Sequence, residues 1–314
     1  MNPYRIVLTS VALLIVTVFS ASAWNSTGHK IVAAVAYANL SAAEQTQVDN
    51  ILTNHPKYAV WKAAHTTDAI PLGLHVFMQA STWPDEIRNY NDPTTHADWH
   101  FIDYPLRAPF RFRAAPNPDD NVVYGIGKCE DILSDVHTSS QVEAEYLSFL
   151  IHFVGDSHQP LHCSTLFDAT FNTSEGDRGG NHFYVKMKFN SANPIKLHSL
   201  WDALLGTGQD PKSLNDKAQT LMQAHPIAGA NGFGDAALTR TPLEWSKESR
   251  AIALSAGYKP LPSLDGTKNR PVVLPENYYS NARAIAEKQV VLAGYRLAAR
   301  IKEVLSELQD GNPI

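Results

Sequence analysis

The stretch from Gln141 to His162, QVEAEYLSFLIHFVGDSHQPLH, gives the strongest indication of the fold. Its first part, Gln141–Gly155, is rich in Leu, Phe, Ile and Val on all sides, which indicates a central, buried helix that Pro160 ends. His152 and Asp156 lie four residues apart, hence on one helical face. An unpaired charge inside such a helix costs many kcal/mol of free energy. For this pair alone, a mutual hydrogen bond and a metal site are equally good interpretations.

Helical patterns also dominate the rest of the chain. Ser26 or Thr27 can cap a first helix, and the capping box Ser41–Glu44 opens a second helix that runs through Leu52. Apolar spacing predicts further helices at Asn121–Val136 and at Asn281–Leu308, the latter long and amphipathic. The predicted fold class is therefore mainly α.

One segment breaks the helical pattern. His182–Phe189 alternates apolar and polar side chains, as a strand does, and Ile195–Leu197 can pair with it as a small β-hairpin. Proline-rich loops run from residue 104 to 120 and from 258 to 276. No repeat or low-complexity linker divides the sequence, so we expect a single helical domain with one small β-hairpin.

The N-terminal residues have the pattern of an export signal. Arg5 precedes the apolar run Ile6–Phe19, which is shorter than the roughly 18 residues of a spanning helix. Ala21-Ser22-Ala23 then forms a small-x-small cleavage site. We predict a signal peptide over residues 1–23 and a mature domain over 24–314 that begins with Trp24 and has no membrane anchor. The protein would be periplasmic or secreted, with an uncleaved anchor as the alternative.

Charge, histidine content and cysteine content limit the classes of function that fit this sequence. A net charge of −5 with no basic block gives no electrostatic footprint of a nucleic-acid groove. The 13 histidines are well above ordinary usage and need a reason. The two cysteines, Cys129 and Cys163, are too few for a thiolate zinc site, and their spacing leaves a disulfide between them open.

Histidines and aspartates recur at metal-ligand spacing. His198 and Asp202 form a second pair four residues apart, and His162 closely follows the central helix. Nitrogen and oxygen donors without thiolates suit zinc in a catalytic site. The candidate set exceeds what one tetrahedral ion requires, so more than one metal is implied. Its members are Asp85, His100, His152, Asp156, His162, His198 and Asp202.

Six fragments together carry a resemblance to a known family. They are WNSTGH, STWPDEIR, HFID, IHFVGDSHQPLH, GGN and LHSLWD, in this order between Trp24 and Asp202. With them, the chain resembles the zinc-dependent single-strand-specific nuclease and 3′-nucleotidase family of fungi, plants and bacteria. That family shares the fold of the zinc-dependent phospholipases C. Each fragment alone is unspecific, but the combination is highly specific.

The resemblance implies three Zn²⁺ ions per chain. In the family, the third zinc binds the free α-amine and carbonyl of the first residue, together with a histidine. Trp24 and His29 correspond to these two residues. Asp156 bridges the third zinc to the first. The first zinc matches Asp85, His100, His152 and Asp156, and the second matches His162, His198 and Asp202. No other histidine is assigned a ligand role, although His158 and His182 lie close to ligands in sequence.

The resemblance also implies roles around the reacting phosphate. Asp85 would orient the attacking water and take its proton, and Arg88 would lie near the scissile phosphate. Phe101 matches a ring that stacks on the base, while Asp103 and Asn181 match groups that hydrogen-bond its edge. The implied activity is hydrolysis of single-stranded DNA and RNA to 5′-phosphate products, and removal of the 3′-phosphate of 3′-nucleotides.

Two alternatives remain at this stage. A zinc phospholipase C would act on phosphodiester lipids, but such enzymes typically have Glu where Asp202 stands, and they lack the Phe-x-Asp and Gly-Gly-Asn base pocket. A periplasmic zinc-binding protein without turnover would need closed coordination spheres. The segment Cys163–Arg178 is long compared with fungal relatives and could reshape the base pocket. We expect a monomer that takes nucleic acid and nucleotides as substrates.

Overall fold

The computed structural model of the chain describes residues 24–106, 116–188, 193–229 and 232–310. Helices make up most of this part, which confirms the mainly α class. The α-helices are α1 Ser26–Ala38, α2 Ala42–Leu52, α3 Tyr58–Ala64, α4 Leu72–Ala80, α5 Trp83–Ile87, α6 Val122–Ser134, α7 Ser140–Ser157, α8 Leu197–Asp202, α9 Pro211–Ala224, α10 Pro242–Ile252 and α11 Tyr278–Asp310. The strands are β1 Pro105–Leu106, β2 Thr165–Leu166, β3 Tyr184–Lys186, β4 Ile195–Lys196 and β5 Val272–Val273.

Capping side chains set where the predicted helices begin. The Asn25 side chain caps α1 by accepting a hydrogen bond from the Gly28 amide, 3.2 Å away, so the predicted cap at Ser26 or Thr27 was wrong. Asn is as good a cap as Ser, and it takes the position one residue earlier. The capping box Ser41–Glu44 at the start of α2 is confirmed.

The central helix is α7. Every residue from Leu147 to Ser157 is buried, and the helix packs against α1, α2, α6 and α11. A continuous apolar core, with members from Trp24 to Leu305, surrounds these helices. Since α7 runs through this core, His152 and Asp156 are held in the interior of the protein.

Strands are few and short. The predicted hairpin is confirmed: β3 pairs antiparallel with β4, with Val185 opposite Ile195. Two segments predicted to be only loop contain strands, since β5 joins β3 in parallel and β1 pairs in parallel with β2. These strands are two residues long, too short to produce an alternating pattern in the sequence.

The predicted signal peptide, residues 1–23, lies outside the described residues. Among the helices that the structure describes, none has the length and apolar character needed to span a bilayer. Cys129 and Cys163 are both buried free thiols, so the disulfide that their spacing left open is not formed. The Cys163 Sγ instead lies 3.4 Å from the Ser157 carbonyl oxygen, to which it donates.

Candidate metal centre and substrate cleft

The first cluster of donor atoms is built around α7. His152 Nε2 lies 3.2 Å from Asp156 Oδ2, as their spacing on one helical face predicts. A 3₁₀ turn at Ala97–His100 brings His100 Nδ1 to 3.1 Å from the same oxygen. Asp85, on the short helix α5, places Oδ1 at 3.6 and 3.7 Å from the His100 and His152 nitrogens. The first cluster therefore comprises Asp85, His100, His152 and Asp156.

The second cluster lies just beyond the C-terminal end of α7. His162 lies in the 3₁₀ turn Pro160–Cys163, and α8 carries both His198 and Asp202. The Nε2 atoms of His162 and His198 are 3.0 Å apart, and His198 Nε2 is 3.7 Å from Asp202 Oδ2. The neighbouring Gln159 holds Asp202 by donating from Nε2 to Oδ1 at 2.7 Å.

Backbone carbonyls fix which ring nitrogen of each histidine carries the proton. His152 Nδ1 lies 2.7 Å from the Ser81 oxygen, and the Nδ1 atoms of His162 and His198 lie 2.7 Å from the His100 and Gly179 oxygens. Because a carbonyl can only accept, each Nδ1 carries the proton and each neutral ring has its lone pair on Nε2. In the second cluster two such lone pairs face each other. That arrangement needs a cation between them.

Distances within the clusters match a tetrahedral metal site. Ligand atoms bound tetrahedrally at about 2.0–2.1 Å lie about 3.3 Å from one another. The separations of 3.0–3.7 Å between these donors fall around that value. Several buried donor atoms make no hydrogen bond within the described part of the chain: Asp85 Oδ1, Asp156 Oδ1, Asp156 Oδ2 and both His29 ring nitrogens. The residues present therefore fit metal ions.

A third set of donors adjoins the first cluster. His29, on α1, lies with Nε2 3.3 Å from Asp156 Oδ1, and its ring stacks on His152 with centroids 3.9 Å apart. A Cβ at position 155 would approach His29 Nδ1 to 3.0 Å, so Gly155 allows this close packing. Trp24 is fully buried, and its indole Nε1 donates to the Gly155 oxygen at 3.1 Å. The indole thus anchors the Trp24 backbone beside Asp156.

The pKa values of the four cluster histidines bear on metal binding, because a histidine must be neutral at the nitrogen that binds the metal. Burial, together with the Arg88 guanidinium, lowers the pKa of His100 to about 3, and burial lowers the pKa values of His162 and His198. Burial also disfavours charged His152, but the Asp156 and Asp85 carboxylates outweigh it and raise its pKa to about 9. Three neutral rings are ready ligands, and in the fourth a metal ion would replace a proton.

A cleft of about 590 Å³ opens over the second cluster. The Arg88 guanidinium lies 5.8 Å from the centre of the Phe101 ring, and Arg88 Nη2 donates to the Tyr90 hydroxyl at 2.7 Å. Predicted phosphate- and base-binding residues and two cluster histidines thus share one cavity. Its lining includes Arg88, Phe101, Asp103, Asn181, His162 and His198.

The model of the S1/P1 nuclease family matches this chain over residues 24–306. The chain belongs to the S1/P1 nuclease family. It is thus a nuclease, a hydrolase of phosphodiester bonds, of a metal-dependent family, and its substrates are nucleic acids. The dispersed motifs in the sequence had indicated this family, and the match confirms it.

Curated relatives of this S1/P1 nuclease come from plants and fungi. The chain is similar to Endonuclease 1 of Arabidopsis thaliana, with 23% identity over 96% of this chain and 94% of that protein. It is similar to Nuclease P1 of Penicillium citrinum, with 26% identity over 90% of this chain and 97% of that protein. Nuclease S1 of Aspergillus oryzae is 21% identical over 90% of this chain and 92% of its own length.

Sequence reasoning missed part of the cleft of this S1/P1 nuclease. Lys196, two residues before His198, and His182, next to Asn181, both line it. No spacing rule identifies a residue that reaches a cavity from a loop or from the end of a two-residue strand, although proximity to a ligand was a usable signal. Among the histidines without a ligand role, His158 is buried between the Val154 oxygen and Arg296 Nη1. Other lining residues that the sequence did not indicate are Tyr90, Asp98, Ser174, Glu175 and Arg178.

Proposed function

We propose that the mature chain binds three Zn²⁺ ions and hydrolyses single-stranded DNA and RNA to products with 5′-phosphate ends. It also removes the 3′-phosphate of 3′-nucleotides. The adjoining donor clusters, the second of which opens into a cleft that also holds a candidate base pocket, carry this proposal. The first cluster would hold one zinc and the second cluster another. The third would bind His29, Asp156, and the Trp24 amine and carbonyl.

Zinc, when bound, supplies Lewis-acid stabilisation of the phosphate oxygens and makes water acidic enough to ionise near neutral pH. Asp85 is the carboxylate placed to handle the proton of the attacking water. It keeps 15% of its side chain exposed, whereas Asp156 is fully buried. With Asp85 Oδ1 among the donors of the first cluster, Oδ2 remains to accept the proton and orient the water. Arg88, on the edge of the cleft, orients the phosphate by charge-assisted hydrogen bonds.

The base pocket explains a preference for single strands. Phe101 stacks on a base, and Asp103 and Asn181 face that base's edge from the same cavity. A base inside a duplex is stacked and paired, so it cannot enter such a pocket without leaving the helix. An unpaired base enters without that cost. The pocket therefore favours single strands without any basic groove, which agrees with the net charge of −5.

Export and zinc binding are linked at Trp24. Cleavage after Ala23 would release an α-amine at the residue whose indole is anchored to Gly155. The next residue is fixed as well, since the Asn25 backbone amide donates to the backbone carbonyl oxygen of Asp202 at 3.2 Å. The family match also begins at Trp24. We therefore propose that residues 1–23 are a signal peptide and that the exported, monomeric chain starts with a zinc ligand.

The direct test is an assay of the zinc-loaded chain that begins at Trp24. Substrates are single-stranded DNA, the same DNA as a duplex, RNA, 3′-AMP and phosphatidylcholine. We expect hydrolysis of both single strands and 3′-AMP, slow cleavage of the duplex, and 5′-phosphate ends detected by mass spectrometry. Hydrolysis of the lipid with inert nucleotides would contradict the proposal. So would zinc binding without turnover of any substrate.

A further inference from the structure

Arg178 lines the cleft on its base-binding side. It ends the segment Cys163–Arg178 and directly precedes the Gly-Gly-Asn turn that carries Asn181. Neither the metal clusters nor the proposed handling of the phosphate uses it. The position of its guanidinium beside the base pocket therefore needs its own explanation.

The backbone at Arg178 is strained. Its φ is +53°, in the left-handed region where a Cβ crowds the following carbonyl oxygen. A residue other than glycine stays in this conformation only where its surroundings determine it. A glycine at this position would avoid the strain. The arginine side chain is therefore the feature that the strained position retains.

Hydrogen bonds on both sides hold that backbone. Before it, the buried Asp177 accepts from the Leu166 amide at 2.8 Å and from the Tyr258 hydroxyl at 2.6 Å. After it, the Arg178 carbonyl accepts from the Asn181 amide at 3.2 Å and from Asn181 Nδ2 at 3.0 Å. The start of the Arg178 side chain is therefore fixed relative to the pocket.

The same contacts orient Asn181. Because Nδ2 donates to the Arg178 carbonyl, Oδ1 is an acceptor, and within the described residues it has no hydrogen-bond donor. Asp103 adds two carboxylate oxygens in the same cavity. An edge of the pocket thus offers three acceptor atoms, beside one guanidinium that can only donate.

The guanidinium of Arg178 is available to a ligand. Its ion pair with Glu175 spans 3.7 Å, and the two side chains are 45% and 59% exposed. Exposed pairs of this kind contribute little and exchange readily with other partners. The charged groups that act on Asp103 are Asp98, Glu175, Asp177 and Arg178. The Cys163 thiol and the Tyr258 hydroxyl also face it, and the Asp103 charge helps to raise their pKa values.

We infer that Arg178 makes the base pocket select guanine over adenine, an inference that rests on the proposed function. The Asp103 carboxylate accepts from N1–H and N2–H₂ of guanine, and Asn181 Oδ1 accepts the second amino hydrogen. Arg178 donates to O6 and N7, the bidentate contact that arginine makes with guanine. Adenine opposes this arrangement, because its N1 is an acceptor facing a carboxylate and its N6 amino group faces the guanidinium.

Charge at Asp103 adds to the selection. Burial and the Asp177 carboxylate raise the pKa of Asp103 to about 7, and Arg178 acts against them by lowering it. Without Arg178 more of Asp103 would be protonated at neutral pH, and a protonated carboxyl donates to N1 of adenine. Loss of Arg178 therefore removes a guanine contact and improves an adenine contact.

The test compares kcat/KM for 3′-GMP and 3′-AMP in the wild-type protein, R178Q, R178K and the control K212Q. Lys212, on α9, is 55% exposed and pairs with Asp216, so K212Q removes one positive charge away from the cleft. We expect the wild type and K212Q to favour 3′-GMP by about tenfold, and R178Q to lose that preference. R178K should lose part of it, because an ammonium group can still donate to O6 and N7 but lacks the rigid planar fork of the guanidinium. Hydrolysis of bis(4-nitrophenyl) phosphate, which has no base, is measured in the same proteins, and K212Q should match the wild type.

An unchanged ratio of the two nucleotides in R178Q would overturn the inference, whether or not both rates fall. Equal use of 3′-GMP and 3′-AMP by the wild type would overturn it as well. Neither result affects the proposed function as long as bis(4-nitrophenyl) phosphate is hydrolysed. If no substrate is hydrolysed, the proposed function fails. Calorimetric binding of 5′-GMP and 5′-AMP then still decides the inference, since tighter binding of 5′-GMP that R178Q abolishes supports it and equal binding overturns it.

Discussion

The part of the site that carries the donor clusters (the metal wall) differs from the part of the cleft that carries the proposed base-binding residues (the base wall) in how its side chains are held. On the metal side, α5, α7 and α8 supply most donors, and backbone carbonyls orient His152, His162 and His198. On the base side, the extended segment after His100 supplies Phe101 and Asp103, and a strained turn supplies Arg178. Helical spacing therefore positions most of the candidate metal donors, whereas loop geometry positions the residues proposed to bind the base.

Asp85→Asn should show the largest effect, because it acts on the metal wall. An amide is neither an anionic ligand nor a proton acceptor, so kcat/KM should fall at least about 10³-fold for every substrate. The measurement is steady-state hydrolysis of single-stranded DNA and bis(4-nitrophenyl) phosphate, with zinc content determined on the same samples. Glu86→Gln is the matched control, since Glu86 is the next residue on α5 and is exposed. Near-normal turnover by the fully zinc-loaded Asp85→Asn variant would exclude Asp85 from both roles.

A methionine placed before Trp24 should have the next largest effect. It converts the terminal amine into a peptide nitrogen, whose lone pair is delocalised and which is a very poor zinc ligand. The extended chain should fold and retain two zinc ions, while kcat for single-stranded DNA falls about 10²-fold. Metal analysis of both chains provides the check. Three zinc ions and full activity in the extended chain would show that the terminus is not a ligand.

Asp103→Ala tests the base wall alone. Loss of the carboxylate should raise KM for 3′-nucleotides about tenfold, because a hydrogen-bonded contact to the base edge is removed. Hydrolysis of bis(4-nitrophenyl) phosphate should hardly change, since that substrate has no base. Parallel kinetics on the two substrates measure the difference. Equal losses on both would mean that Asp103 supports the structure of the site and does not contact the base.

The smallest effect is expected away from both walls, at the capping box of α2. Ser41→Ala removes the side-chain oxygen that accepts from the Glu44 amide at 3.3 Å. The free energy of unfolding should fall by about 1 kcal/mol. Activity of the folded protein should not change, because α2 contributes no donor to the clusters. Urea denaturation and the single-strand assay test this together, and a matching loss of activity would link the helix to the site.

Sequence alone predicted most of the residues that the structure brings together in the donor clusters, but only some of those that line the cleft. His152 and Asp156 were recognisable because a period of 3.6 residues puts positions i and i+4 on one face. His100 and Asp85 come from distant turns, and only the family resemblance connected them to α7. The length of the segment Cys163–Arg178 indicated a change near the base pocket, but nothing in the sequence singled out Arg178. Its place in the cleft depends on a positive φ and on the hydrogen bonds of Asp177, which no residue pattern encodes.

Whether these donors form a three-zinc centre can be measured by anomalous X-ray diffraction at the zinc edge. Crystals would be grown from the zinc-loaded chain that begins at Trp24. We predict three anomalous peaks: one among Asp85, His100, His152 and Asp156, one among His162, His198 and Asp202, and one between His29 and the Trp24 amine. Fewer than three peaks, or zinc bound away from these residues, would show that these donors do not form a three-zinc centre.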